Sequence, residues 1–210
     1  MQDSAKRKTK TKEQKAEKIS TKDKIIKASW SLFHLKGFED TTIEDIIDKA
    51  GISKGSFYYY FDRKDALLDT LSTILDVEYE KLEKEIDTSM NAFDKLLFLN
   101  NKIHGFIEEN IERRIVASLY ATQLYSKENS SLLDQNRIYY KFIADIVEEG
   151  QKKGEIITKK SVREITKYYS LCERALITDW CMEKGNYSLK EYSKEYLPIM
   201  MASFKNEIDK

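Results

Sequence analysis

The sequence predicts an all-α protein, and three of its properties support this. Only one of the 210 residues is proline and seven are glycine, fewer turn-forming residues than β-sandwiches or barrels need. Apolar residues (41%) and charged residues (34%) are both abundant, and the apolar ones recur at intervals of three and four. The length suits one or two domains with a hydrophobic core.

Composition also limits the classes of function. Cys172 and Cys181 are too few for a disulfide framework and lack the spacing of a metal knuckle, so we expect two reduced thiols. No apolar run approaches the ~20 residues of a membrane span, and the N-terminus lacks the apolar segment of a signal peptide. We therefore expect a cytoplasmic protein without a membrane partner or a cofactor.

The charge is unevenly distributed along the chain. Residues 1–64 contain 15 Lys and Arg against 10 Asp and Glu, whereas residues 65–210 contain 21 against 26. This predicts a basic head that meets a polyanion and an acidic body. Residues 1–20 are almost free of apolar side chains and include seven Lys and Arg, which indicates a flexible basic arm. A solvated tail without a role is the alternative.

Three short helices are predicted in the head. The first spans residues 23–36 and ends at Gly37. The second begins where Thr41 with Glu44, or Thr42 with Asp45, would form a capping box. Gly51 ends that helix and Ser53 can cap the third, over residues 54–61. A short glycine turn between two short helices is the helix-turn-helix layout.

The third helix has two different faces. Phe57 and Phe61 share the face that should dock on the first two helices. Gly55, Ser56 and Tyr59 share the opposite face. A glycine inside a helix costs up to ~1 kcal/mol relative to alanine. We therefore expect that something large must approach the backbone at Gly55.

This segment resembles the TetR family of transcriptional regulators. The resemblance rests on residues 41–46, 50–61 and 64–68, preceded by Ala28 through Phe33 and by Gly37-Phe38. It departs at Phe57, where the family often has Leu, and at Tyr60, where it often has His; both departures concern base preference.

The resemblance implies a ligand-responsive regulator, in the first instance a repressor, that binds palindromic operator DNA as a homodimer. The implied domains are the arm (1–20), a three-helix helix-turn-helix DNA-binding domain (21–66), and a helical effector-binding and dimerisation domain (67–210). Residue by residue, the DNA-binding positions it implies are Thr42, Ser53, Lys54, Gly55, Ser56, Tyr58, Tyr59, Tyr60 and Lys64. Ser56, Tyr60 and the Gly55 backbone would lie near base edges, and most of the others would touch phosphates.

Six helices are predicted in the body. They cover residues 64–86, 92–109, 112–125, 130–153, 162–185 and 188–204, and Pro198 should kink or break the last. The two last helices carry more apolar surface than a small body needs, and the resemblance implies that they pair with their copies in a homodimer.

A small hydrophobic or aromatic effector is expected in an apolar cavity of the body. The candidates for its polar contacts are His104, Tyr120, Gln123 and Tyr140, because each lies beside apolar residues on a middle helix. Ordinary core packing is the alternative for each.

An enzyme is not expected. The sequence has no Gly-rich phosphate loop, no His-Glu metal pair and no Cys-x-x-Cys. The alternative function is a helical binding protein whose basic arm meets a membrane surface or an acidic partner, without specific DNA binding.

Overall fold

The computed structural model describes residues 20–125 and 131–206, and its regular structure is helical. An isolated antiparallel bridge between Ile156 and Lys205 is the one extended pairing within these ranges. The predicted all-α class is confirmed. The α-helices are α1 (Thr21–Lys36), α2 (Ile43–Ala50), α3 (Lys54–Tyr60), α4 (Thr70–Glu85), α5 (Ala92–Asn110), α6 (Arg113–Tyr125), α7 (Ile138–Lys152), α8 (Val162–Met182) and α9 (Leu189–Met201).

Local capping sets the limits of the three head helices. The Ser20 hydroxyl accepts from Asp23 N at 3.1 Å before α1. Thr42 and Asp45 form the capping box of α2, which decides between the two predicted boxes. Gly51 follows α2 with φ +64°, a left-handed conformation that favours glycine. The predicted helix-turn-helix layout is therefore confirmed.

The head has its own small core. Phe33 of α1, Ile46 of α2 and Phe57 of α3 are completely buried, and Phe61 is nearly so. These side chains hold the three helices together and leave the opposite face of α3 outside.

Helix α5 is the centre of the body and packs against α4, α7 and α9. Its buried residues include Leu96, Leu99 and Ile103, which recur at helical spacing. Helix α8 packs against α6, α7 and α9. The body is thus a helical bundle in which α5 and α8 each contact three other helices.

The head meets the body through a short 3₁₀ helix, Lys64–Leu67, and α4 begins only at Thr70. The predicted continuous helix from residue 64 is wrong here. Leu67 and Leu68 are both completely buried. The tighter winding of the 3₁₀ helix directs these two adjacent side chains into the core. The indole N–H of Trp30 donates to Thr70 Oγ1 at 2.9 Å, which ties α1 to the start of α4.

Two further expectations need correction. Helix α7 starts at Ile138 rather than near residue 130, because Asp134 Oδ1 accepts from Asn136 N at 2.9 Å in a turn before it. Pro198 lies inside α9, which continues to Met201, so this proline does not break the helix. Apart from Ser20, the predicted basic arm lies outside the described residues.

Candidate DNA-binding surface and effector cavity

The outer face of α3 presents aromatic and small side chains to solvent. Tyr58, Tyr59 and Tyr60 are 46%, 81% and 39% exposed. A Cβ added at Gly55 would meet only Ser53 Oγ, at 3.9 Å. No neighbour within the described protein requires glycine at this position, so the open backbone is available to a partner.

Polar groups at the start of α2 and α3 serve first as caps. Ser53 Oγ accepts from Ser56 N at 3.1 Å and lies 2.9 Å from Ser56 Oγ. Thr42 Oγ1 accepts from Asp45 N at 3.1 Å. Lys54 pairs with Glu44 at 3.1 Å on the exposed surface. These side chains lie together at the end of the head that α2 and α3 share.

Lys64 is placed differently from its predicted role at a phosphate. Its ammonium donates to the carbonyl oxygens of Phe38, Glu39 and Thr41 at 2.8, 3.3 and 3.0 Å. It also lies 4.2 Å from the centre of the Phe38 ring. Three acceptors match its three N–H donors. In this structure Lys64 holds the loop between α1 and α2, and its contact with a phosphate stays a prediction.

The body contains a cavity of about 50 Å³. Of the four predicted ligand-binding residues, His104 and Tyr120 line it, whereas Gln123 and Tyr140 do not. Its wall is formed by Leu75, Tyr79, Ile103, His104, Ile107, Tyr120, Leu132, Arg137, Tyr139, Ser170, Glu173, Arg174 and Ile177.

Gln123 and Tyr140 have other partners. Gln123 Nε2 donates to Asp69 Oδ1 at 2.9 Å, at the junction of head and body. The Tyr140 hydroxyl donates to Leu132 O at 3.0 Å and lies 3.0 Å from Ser170 Oγ, a cavity residue. Tyr140 therefore stands behind the cavity wall.

A buried carboxylate at Glu173 organises the cavity. It accepts from the hydroxyls of Tyr139 and Tyr79 (3.4 Å for Tyr79) and from Asn100 Nδ2 at 3.1 Å. Burial raises the pKa of the Glu173 carboxyl, against the opposing effect of these hydrogen bonds. The cluster connects α4, α5, α7 and α8.

His104 extends this network to α9. Asn100 Nδ2 lies 3.2 Å from His104 Nε2, and His104 Nδ1 contacts Ser193 Oγ. Since the amide donates, Nε2 must accept and Nδ1 carries the proton. Burial lowers the pKa of the His104 imidazole to about 3, so the ring is neutral and linked at both nitrogens.

Sequence reasoning missed Glu173, Arg137 and Arg174. Glu173 occupies a position in the buried stripe of α8 with Tyr169, Cys172 and Leu176. A charged residue in an apolar stripe was the available signal.

Within the described ranges, no three His, Cys, Asp or Glu residues form a group suited to a metal ion. No helix there is long and apolar enough to cross a membrane.

Known proteins resemble the chain over most of its length. The model of the bacterial regulatory proteins of the tetR family matches residues 25–71, and that of the C-terminal region of YsiA-like proteins matches residues 72–203. The HTH-type transcriptional repressor KstR2 of Mycobacterium tuberculosis is 23% identical over 190 residues, 90% of this chain and 94% of that protein. The fatty acid metabolism regulator protein of Bacillus subtilis is 23% identical over 184 residues, 87% of this chain and 95% of that protein.

Solved structures share the fold. FadR of Thermus thermophilus with lauroyl-CoA superposes with a TM-score of 0.68 at 19% identity, covering 85% of this chain and 92% of that one. FadR of Bacillus subtilis with stearoyl-CoA gives a TM-score of 0.66 at 22% identity, with 86% and 98% covered. The chain therefore belongs to the TetR family of bacterial transcriptional regulators.

Proposed function

We propose that this protein is a repressor that binds palindromic operator DNA as a homodimer and that a small hydrophobic effector releases it. The observation that carries the proposal is the solvent-facing side of α3, where Tyr59 is 81% exposed beside the open backbone of Gly55. A DNA-binding role would place the protein in the cytoplasm. The alternative of a binding protein without a DNA site does not account for this face.

The operator would meet the N-terminal ends of α2 and α3. Phosphate contacts would position the head and base contacts would provide specificity. The proposed contact residues are Thr42, Ser53, Lys54, Gly55, Ser56, Tyr58, Tyr59 and Tyr60. Lys64 would act indirectly, by holding the loop before α2.

The homodimer would form through α8 and α9. Both helices leave apolar side chains in solvent: Tyr168 and Leu171 are 37% and 52% exposed, and Tyr196 and Ile199 are 37% and 67% exposed. Two heads on successive major grooves would lie about 34–36 Å apart, or a multiple of it.

A fatty-acyl compound is the effector class we propose. Two FadR structures with this fold contain acyl-CoA molecules, and the cavity wall combines aliphatic with tyrosine side chains. The cavity of about 50 Å³ is far smaller than the roughly 300–1,000 Å³ of drug-sized sites. An effector must therefore displace elements of the body.

Helix α4 is the element through which this displacement would reach the DNA. Leu75 and Tyr79 of α4 line the cavity, and the 3₁₀ helix Lys64–Leu67 joins α4 to the head. An effector that binds the released form ~100-fold better than the DNA-bound form would supply about 2.7 kcal/mol of coupling.

The test uses the DNA that flanks the gene of this protein. The purified protein is first titrated into this DNA, and palmitoyl-CoA is then added to the complex. We expect tighter binding to this DNA than to a shuffled sequence of the same composition, and release by palmitoyl-CoA. Equal affinity for both DNAs would contradict the proposal that the protein is a repressor with a specific operator. Specific binding that palmitoyl-CoA leaves unchanged would contradict the effector class.

A further inference from the structure

Arg174 differs from the other cation in the cavity wall. Arg137 is held by Asp76, with Nε and Nη2 at 3.1 and 2.7 Å from its two oxygens, and by Ser72 O at 3.1 Å. Arg174 has one hydrogen bond, from Nη1 to Ser170 Oγ, and no ion pair with any Asp or Glu of the described ranges. Arg174 therefore brings to the cavity a positive charge that no carboxylate of the described ranges contacts directly.

We propose that Arg174 binds an oxyanion of the effector, which is thus an apolar chain that carries a carboxylate or a phosphate. This inference rests on the proposed function and specifies its effector. A guanidinium has five N–H donors in a planar fork that matches such anions bidentately. One donor is used by Ser170, and Arg174 is half-buried and lines the cavity, so its remaining donors can meet a ligand there.

A relay of hydroxyl groups positions the guanidinium. Arg174 donates to Ser170 Oγ, which lies 3.0 Å from Tyr140 Oη, and Tyr140 Oη donates to Leu132 O at 3.0 Å. Each hydroxyl accepts one hydrogen bond and donates one, so the donor direction runs from Arg174 to the carbonyl. Ser170 and Tyr140 are positioning residues for Arg174.

The remaining wall fits an apolar chain. Leu75, Ile103, Ile107 and Ile177 line the cavity and would contact methylene groups. The oxygens of Glu173 already accept from two tyrosines and an asparagine. Burial raises the pKa of the Glu173 carboxyl, against the opposing effect of these hydrogen bonds.

The experiment compares charged and uncharged ligands by calorimetric titration of the full chain. The ligands are palmitate, palmitoyl-CoA and hexadecanol. The variants are Arg174→Gln, Arg174→Lys and, as matched control, Arg163→Gln, an exposed arginine on the same helix. We expect Arg174→Gln to bind the anionic ligand about 10- to 100-fold more weakly and hexadecanol as wild type does. Arg174→Lys should be intermediate, and Arg163→Gln unchanged.

The ligands also separate the two sources of the anion. If Arg174→Gln loses affinity for palmitate alone, Arg174 binds the carboxylate. If it loses affinity for palmitoyl-CoA alone, Arg174 binds the phosphates. Equal affinity of wild type and Arg174→Gln for both anions would overturn the assignment, as would an equal loss for hexadecanol. If wild type bound none of the three ligands, the effector class itself would fail. Arg174→Lys retains the positive charge, so it still tests the assignment if Arg174→Gln fails to fold.

Discussion

Gln123 of α6 donates to Asp69 Oδ1 at 2.9 Å, immediately before α4 begins. Ser131 Oγ donates to the same oxygen at 2.8 Å. Because the 3₁₀ helix Lys64–Leu67 joins the head to α4, these two hydrogen bonds hold the body against the point where the head is attached. A residue predicted to contact the effector thus lies on the route along which effector binding would act.

Gln123→Glu should destabilise the protein without changing the shape of the side chain. The variant places a second carboxylate against Asp69, and we expect a loss of about 1–3 kcal/mol in the free energy of unfolding at pH 7.5. Two adjacent carboxyls retain a proton more readily, so the loss should shrink at pH 5. Urea unfolding at both pH values measures it, with the exposed Gln135→Glu as control. An equal loss at both pH values would contradict the pairing.

Gly55→Ala should affect stability and DNA binding in opposite directions. Nothing in the described protein lies within 3.4 Å of the added methyl group, and alanine stabilises a helix by up to ~1 kcal/mol relative to glycine. We expect an equal or higher melting temperature together with weaker operator binding in a gel shift. Undiminished operator affinity would show that DNA does not approach this backbone.

Lys64→Met and Lys54→Met should separate a structural lysine from a phosphate contact. Lys64→Met leaves three carbonyl oxygens without their donor and should lower the free energy of unfolding by about 1–3 kcal/mol. The logarithmic salt dependence of DNA binding by the folded variant should remain as in wild type. Lys54→Met should make that slope shallower by about one at little cost in stability. A shallower salt dependence for Lys64→Met, with an unchanged one for Lys54→Met, would show that Lys64 is the phosphate contact.

His104 should make the protein sensitive to mild acid. Its folded pKa of about 3 lies below the ordinary value of about 6.5. Burial of the neutral ring therefore contributes stability that is fully present above pH 6.5 and is lost as pH falls towards 3. The expected slope is about 1.4 kcal/mol per pH unit. Urea unfolding at pH 7.5, 6 and 5 should show this slope in wild type relative to His104→Gln. The same pH dependence of the unfolding free energy in wild type and His104→Gln would refute this role of His104.

Ile199→Glu should convert the proposed homodimer to a monomer. Ile199 is 67% exposed on α9, and a carboxylate there would have to be desolvated in the dimer. Sedimentation velocity at micromolar concentration measures the mass. Leu124→Glu, on α6 at 82% exposure, is the matched control and should remain dimeric. A dimer mass for Ile199→Glu would show that Ile199 lies outside the interface.

Local sequence determined the helices and their caps in the head. The Thr42–Asp45 box, the glycine at position 51 and the Phe57–Phe61 spacing each depend on residues close in the chain. The all-α class and the family could therefore be predicted. Local signals also indicated the face of α3, because Gly55 and Tyr59 are separated by one helical turn.

Tertiary structure decided where the polar side chains of the body meet. Tyr79 and Glu173 are 94 residues apart and touch only because α4 and α8 pack on the same bundle. Gln123 and Tyr140 have the same chemistry as residues in a binding site, yet packing directs one to the junction and the other behind the wall. Lys64 likewise finds its carbonyls 23 to 26 residues away. Helical periodicity specifies which face is apolar, but the partner of each polar group depends on how the helices are arranged in space.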